Sequence, residues 1–132
     1  MNNLYEFSNK EGTAKAIISV ANVVCFTIND TTNQNYIIYA DYYGSTPTLQ
    51  HLNGFTYDDI RKRLPYTEGK WIDVEVTVEA TITGDIKGRL IVNRDYILAI
   101  EPTDDPDIIK IYVPGLKQFN AHISYDEILK KL

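Results

Sequence analysis

The chain has one cysteine, one methionine, one tryptophan and two histidines in 132 residues, and each scarcity removes a class of function. A lone cysteine forms no internal disulfide and supplies no paired-thiolate metal or redox motif. Cys25 lies in the apolar run VANVVCF, where a small buried hydrophobe is the expected role. No run of eighteen apolar residues occurs, so no membrane-crossing helix is expected. The opening residues MNNLYEFSNKEG lack the basic flank and apolar stretch of a secretory signal. These traits together predict a location in the cytoplasm of a bacterial host. Positive charge is also short: 13 Lys and Arg stand against 18 Asp and Glu, for a net charge of −5. General nucleic-acid binders gain most of their affinity from cations that neutralise phosphates, so this balance disfavours that class.

Catalytic signatures are missing as well. The chain has no glycine-rich phosphate loop, nucleophile elbow or CxxC pair. His51 and His122 show no ligand spacing, so no metal and no cofactor are expected. The acidic run EPTDDPD carries two prolines and no glycine, which fits a solvated turn and not a calcium loop. No catalytic residue emerges, and the expectation is a protein that is not an enzyme.

An internal correspondence is present instead. TYDDIRKRL (residues 56–64) and SYDEILKKL (residues 124–132) share five of nine positions. Each follows a β-like segment, AKAIISVANVVCFT or KGRLIVNRDYILAIE, in which Ile18 aligns with Val92, Ser19 with Asn93, Val23 with Ile97 and Phe26 with Ile100. Between these landmarks lie an Asn/Asp-rich turn and a further strand, NDTTNQN–YIIYA in one copy and PTDDPD–IIKIYV in the other. The first copy is about six residues longer, the extra length falling in ADYYGSTPTLQHLNG, a loop-sized insertion. The reading is a single pseudo-symmetric domain over residues 1–132, with repeats of about 1–66 and 67–132.

Both nonamers read as short helices. Thr56 and Ser124 are good N-caps, with Asp59 and Glu127 three positions later to complete capping boxes. Phe55 and Ile123 precede the caps and can staple to Ile60 and Ile128. In WIDVEVTVEATI, Ile72, Val74, Val76, Val78, Ala80 and Ile82 alternate with polar or aromatic residues, which predicts a strand with one buried face. TGDIKG reads as the turn into GRLIVN, and LYEF–SNKEG–AKAII as a shorter counterpart hairpin. The predicted fold is α+β and β-rich: an internally duplicated antiparallel sheet, small sandwich or barrel, of six to eight strands with one short helix per repeat.

The second repeat, through GRLIVNRDYILAIEP, a polar turn and strand, and SYDEILKKL, resembles the FlbD-like small proteins of bacteria and phages. That resemblance implies a small β-rich interaction module without catalytic residues. The same segments are similar to part of LytTR-type DNA-binding domains, which implies nucleic-acid binding through loops.

Three functional expectations follow. The first is a non-enzymatic protein-interaction module, monomer or homodimer, working through an exposed sheet edge or the aromatic insertion, with Tyr42, Tyr43, His51 and Trp71 as contact residues. A sharper form makes it a phage or mobile-element inhibitor whose acidic residues Asp73, Glu75 and Glu79 occupy a host nucleic-acid-binding enzyme. The second is nucleic-acid binding through Arg61, Lys62 and Arg63, although cations at a helix end are also expected from the helix dipole. The third is a small-molecule or metal site at His51 and His122.

Overall fold

A computed structural model describes residues 4–29, 31–32, 35–40, 48–64, 70–115 and 117–132. Its strands are β1 (Leu4–Ser8), β2 (Lys15–Ser19), β3 (Val23–Ile28), β4 (Tyr36–Tyr39), β5 (Thr48–His51), β6 (Trp71–Thr81), β7 (Gly84–Asn93), β8 (Ala99–Pro102), β9 (Ile109–Val113) and β10 (Lys117–Ala121). Two short helices follow β5 and β10: α1 (Tyr57–Arg61) and α2 (Tyr125–Lys131). One-turn 3-10 helices at Val20–Asn22 and Arg94–Tyr96 separate β2 from β3 and β7 from β8. The protein is therefore β-rich. Strands β1 and β2 form a hairpin of their own, and the other eight form one antiparallel sheet in the order β5-β4-β3-β7-β6-β10-β9-β8. Among the described residues no helix is long and apolar enough to cross a membrane.

The succession hairpin, 3-10 turn, three strands, helix occurs twice, over residues 4–61 and 71–131. Ser19 and Asn93 sit at the entries of the two 3-10 turns, and Val23 and Ile97 at their exits. Pairing does not follow the same rule in both halves. The β1–β2 hairpin stands apart, whereas β6 and β7 lie inside the large sheet, between β3 on one side and β10 on the other.

Two apolar clusters hold the sheet from opposite faces. Phe7 and Ile18 of the small hairpin, Phe55 and the α1 residue Ile60 cover Phe26, Ile28, Ile37 and Ile91 on the outer face. The inner face gathers Cys25, Ile38, Val74, Val76, Leu90, Val92, Ile109 and Ile111, joined by Ile128 of α2. Cys25 is fully buried, as its apolar context required. A face spread over β4, β3, β7, β6, β10 and β9 reaches this burial beneath one seven-residue helix because the sheet curls over itself. A bulge between Thr77 and Glu79, opposite Lys87 and Ile86 and next to the Val76–Gly88 pair, bends β6 here. A Cβ on Gly88 would overlap the Ile28 carbonyl oxygen and Val78 Cγ1, so glycine is what lets β3, β6 and β7 close up here.

Both N-caps form, but only the first completes its capping box. Thr56 and Asp59 make a reciprocal capping box, with Asp59 N–H donating to Thr56 Oγ1 at 3.2 Å and Thr56 N–H to Asp59 Oδ2 at 2.9 Å. Ser124 Oγ accepts from Glu127 N–H at 3.2 Å. Both helices are shorter than their nonamers, at five and seven residues.

The long hairpin departs from simple alternation. The bulge interrupts the period at Val78, β6 ends at Thr81, and Ile82 is fully exposed at the hairpin tip instead of facing the core. The turn is tighter than expected, since β7 already begins at Gly84 and takes in DIKG.

Replacing Gly88 by alanine forces β3, β6 and β7 apart where they approach most closely. We expect a loss of about 1–3 kcal/mol, the usual cost of overpacking, measured by urea denaturation.

Candidate functional site

Strand β5 is an outer strand of the sheet, and its register states which of its groups are free. Leu52 N–H donates to Asn35 C=O at 2.7 Å, and β5 pairs Gln50 with Ile37 and Thr48 with Tyr39. Directly bonded pairs alternate along an antiparallel ladder, so Gln50 and Thr48 bond to β4 while Leu49 and His51 turn their N–H and C=O groups outward. Among the described residues nothing pairs with that edge. The side chains alternate in step. Leu49 lies opposite Ile38 and His51 opposite Tyr36, so both stand on the inner face, where Leu49 remains 45% exposed.

The inner face opens beside His51 into a cleft of about 900 Å³. Thr27, Asn29 and Tyr36 come to it from β3, its following turn and β4; His51, Asn53 and Gly54 from the end of β5; Val78 and Glu79 from the bulge of β6. On a flat sheet β5 and β6 would stand four strands, about 19 Å, apart. The curl that buries the inner core is what brings them to one cleft.

Beside the lining residues, Asn35 is 1% exposed. Asn35 Oδ1 accepts from Asn29 N–H at 2.8 Å and its Nδ2 donates to the Phe55 carbonyl. Asn29 Oδ1 in turn accepts from Thr31 N–H at 3.1 Å. One amide thus ties the β3–β4 turn to the entry of α1. Burial raises the Tyr36 phenol above its ordinary value, and the neighbouring Thr27 hydroxyl draws it partly back. Thr27 Oγ1 is itself buried and makes no hydrogen bond of ordinary geometry.

Glu79 is the one formally charged side chain among the described residues of this lining. It is exposed, and among the described residues no cation pairs with it. Its neighbours on β6 differ. Asp73 accepts from Arg89 Nη2 at 2.8 Å and from the Tyr57 hydroxyl, and Glu75 lies 3.7 Å from Lys87 Nζ.

The other residues singled out from sequence are dispersed. Tyr42 and Tyr43 lie outside the described residues. Trp71 packs on the outer cluster with its ring 5.9 Å from Phe26 and helps to cover the core. The basic run does not form one surface: Arg61 Nε lies 3.9 Å from Asp73, Lys62 Nζ 3.7 Å from Asp59, and Arg63 Nε donates to the Glu6 carbonyl at 2.7 Å with its guanidinium over Tyr5. His122 is far from His51 in register. Its Nε2 is 2.7 Å from Thr77 Oγ1, in a smaller cleft beside Asp73, Glu75 and Glu127. Among the described residues no group of three or more His, Cys, Asp or Glu is placed to hold a metal. Of EPTDDPD, Glu101 and Pro102 end β8 and the rest forms a turn, in which Thr103 Oγ1 donates to the Ile108 carbonyl at 2.7 Å and Asp107 N–H donates to Asp105 Oδ1 at 2.9 Å.

No family model, curated protein or solved structure matches the chain. The likeness to FlbD-like and LytTR-type proteins accordingly rests on the quoted segments alone.

The buried tyrosines give the molecule an alkaline limit. Tyr36 and Tyr39 have folded pKa values raised by burial, so the native state holds their protons more tightly than the unfolded chain. Stability from this source is complete below pH about 10 and is lost as pH rises above it. The urea midpoint is expected to fall between pH 9.5 and about 11, and less steeply in Tyr36→Phe than in the parent.

Proposed function

We propose that the protein is a non-enzymatic interaction module that receives an extended segment of a partner protein as an added strand along β5. The observation that carries this reading is the free edge itself, with the backbone groups of Leu49 and His51 facing outward beside an open cleft. Strand addition uses such an edge for main-chain hydrogen bonds and adjacent pockets for selectivity.

The contrast between the two outer strands supports it. Strand β8, at the opposite end of the sheet, carries Glu101 and Pro102, which discourage pairing with another chain. Strand β5 is Thr-Leu-Gln-His, without proline or formal charge at neutral pH. One edge is guarded and the other is not.

Duplication of an ancestral unit fits the twofold succession of elements, and the unequal pairing of the halves then leaves one binding edge instead of two. The inhibitor version, in which acidic residues meet a basic host surface, narrows on this reading to Glu79, since Asp73 and Glu75 are engaged by Arg89 and Lys87. Nucleic-acid binding has less to support it, because the three basic residues of α1 and its exit contact different internal partners. A small molecule in the cleft is the second reading, favoured by a volume within the range of ligand pockets.

Leu49→Pro tests strand addition selectively. The residue's N–H faces outward, so proline removes a donor to the partner and leaves the β4 ladder intact. A partner captured from lysate of the source organism by the parent protein is expected to bind the variant at least ten-fold more weakly, with circular dichroism unchanged. Equal capture by both would exclude β5 as the contact.

A further inference from the structure

Resting on the strand-addition reading of β5, we propose that the incoming segment carries a basic side chain, arginine or lysine, into the cleft opposite His51, and an apolar residue two positions away over Leu49. Side chains of an added strand continue the period of two, so only alternate residues reach the inner face. Those beside Leu49 and His51 are consecutive members of that set, whichever way the segment runs.

The chemistry of the two places differs. Leu49 is a large apolar side chain left 45% exposed at the edge, and an aliphatic or aromatic neighbour removes it from water. Two residues on, the cleft offers the Glu79 carboxylate beside the polar side chains of Tyr36, Thr27 and Asn53. Thr27 Oγ1 makes no hydrogen bond of ordinary geometry in a residue only 3% exposed, and Glu79 is a carboxylate with no cation among the described residues. A guanidinium or ammonium brings only donors and a positive charge, which matches that set. An acidic side chain would meet Glu79 with like charge, and an apolar one would leave the polar lining unpaired. The net charge of −5 adds a long-range bias toward basic segments. The recognition code this geometry specifies is an apolar and a basic residue two positions apart, apolar-x-basic for a segment parallel to β5 and basic-x-apolar for an antiparallel one.

The test uses a random dodecapeptide display library selected on the intact protein. Selected peptides are then synthesised with arginine or its uncharged isostere citrulline at the basic position. Binding is measured on the parent and on Glu79→Gln, and backbone amide shifts of Leu49 and His51 report the site. We expect enrichment of an apolar and a basic residue two positions apart, in the order set by the segment's direction, a roughly 3- to 10-fold weaker affinity for citrulline on the parent, and no such difference on Glu79→Gln. Glu79 is exposed, so the variant should melt where the parent does. Peptides that shift the Leu49 and His51 amides without charge preference, or with a preference indifferent to Glu79→Gln, overturn the cleft assignment and leave strand addition standing. Failure to select any peptide that shifts those amides overturns strand addition and the code together.

Discussion

Every side chain of β3 from Val23 to Ile28 is buried, and because successive residues of a strand point to opposite faces, β3 requires apolar cover on both sides of the sheet. Most of the architecture answers that requirement. On the outer side the β1–β2 hairpin and α1 bring Phe7, Ile18 and Ile60 onto Phe26 and Ile28. On the inner side the sheet curves until residues as far along it as Ile111 share one cluster with Cys25. Pairing β3 with β7 joins the two halves of the chain, so neither half owns its core. The polar end of β3 then inherits a consequence: Thr27 and Asn29 are the first residues past the apolar run, and the same curvature that seals the core leaves them at the mouth of the cleft.

Local signals in the sequence were reliable where one short stretch determines the outcome. The caps at Thr56 and Ser124 and the antiparallel hairpins were legible because the groups that make them lie within a few residues of one another. Alternation in residues 71–82 was legible as far as Val78, which packs against the inner cluster, and failed at Ile82, which is exposed. The bulge at Val78 depends on the approach of Ile28 and on Gly88, neither of which alternation registers. AKAIISVANVVCFT read as continuous, yet it turns through a 3-10 helix at Val20–Asn22, where Asn22 Nδ2 donates to Ser19 Oγ at 3.0 Å. Ser19 and Asn22 were the polar interruptions that marked the break. Of the candidate contact residues, His51 stands in the cleft, whereas Trp71 serves the core. Glu79, Thr27 and Leu49 had no signal in common, because they meet only through the curl of the sheet.

The matched nonamers show how far tertiary context overrides local likeness. In α1 and its exit, Ile60 and Leu64 are both buried beneath the small hairpin. At the corresponding places of the second nonamer Ile128 is buried, but Leu132 is 40% exposed and Leu129, aligned with Arg61, is 48% exposed. The difference lies in the partner and not in the helix. Strands β6 and β7, which correspond in order to the hairpin over α1, are taken into the main sheet by β3 and β10 and give α2 no equivalent cover. Two similar segments therefore finish with unlike surfaces, and a functional face cannot be transferred from one half to the other by symmetry.

The same asymmetry decides where the sheet ends. A curled sheet that does not close presents two outer strands, and each is a hazard for unwanted pairing unless it is blunted. Glu101 and Pro102 blunt β8, and a charged or proline residue in β5 would do the same there at little cost, since half of its backbone groups face away from β4. β5 instead keeps leucine and histidine on its inner face and outward amides on its rim, next to a carboxylate that no internal cation neutralises among the described residues. Leaving that edge unguarded lowers resistance to aggregation and gains nothing for the fold. Under the proposed strand addition that edge would be occupied in use, and the order of groups along it, apolar at Leu49 and then polar beside His51, is what an added strand would meet.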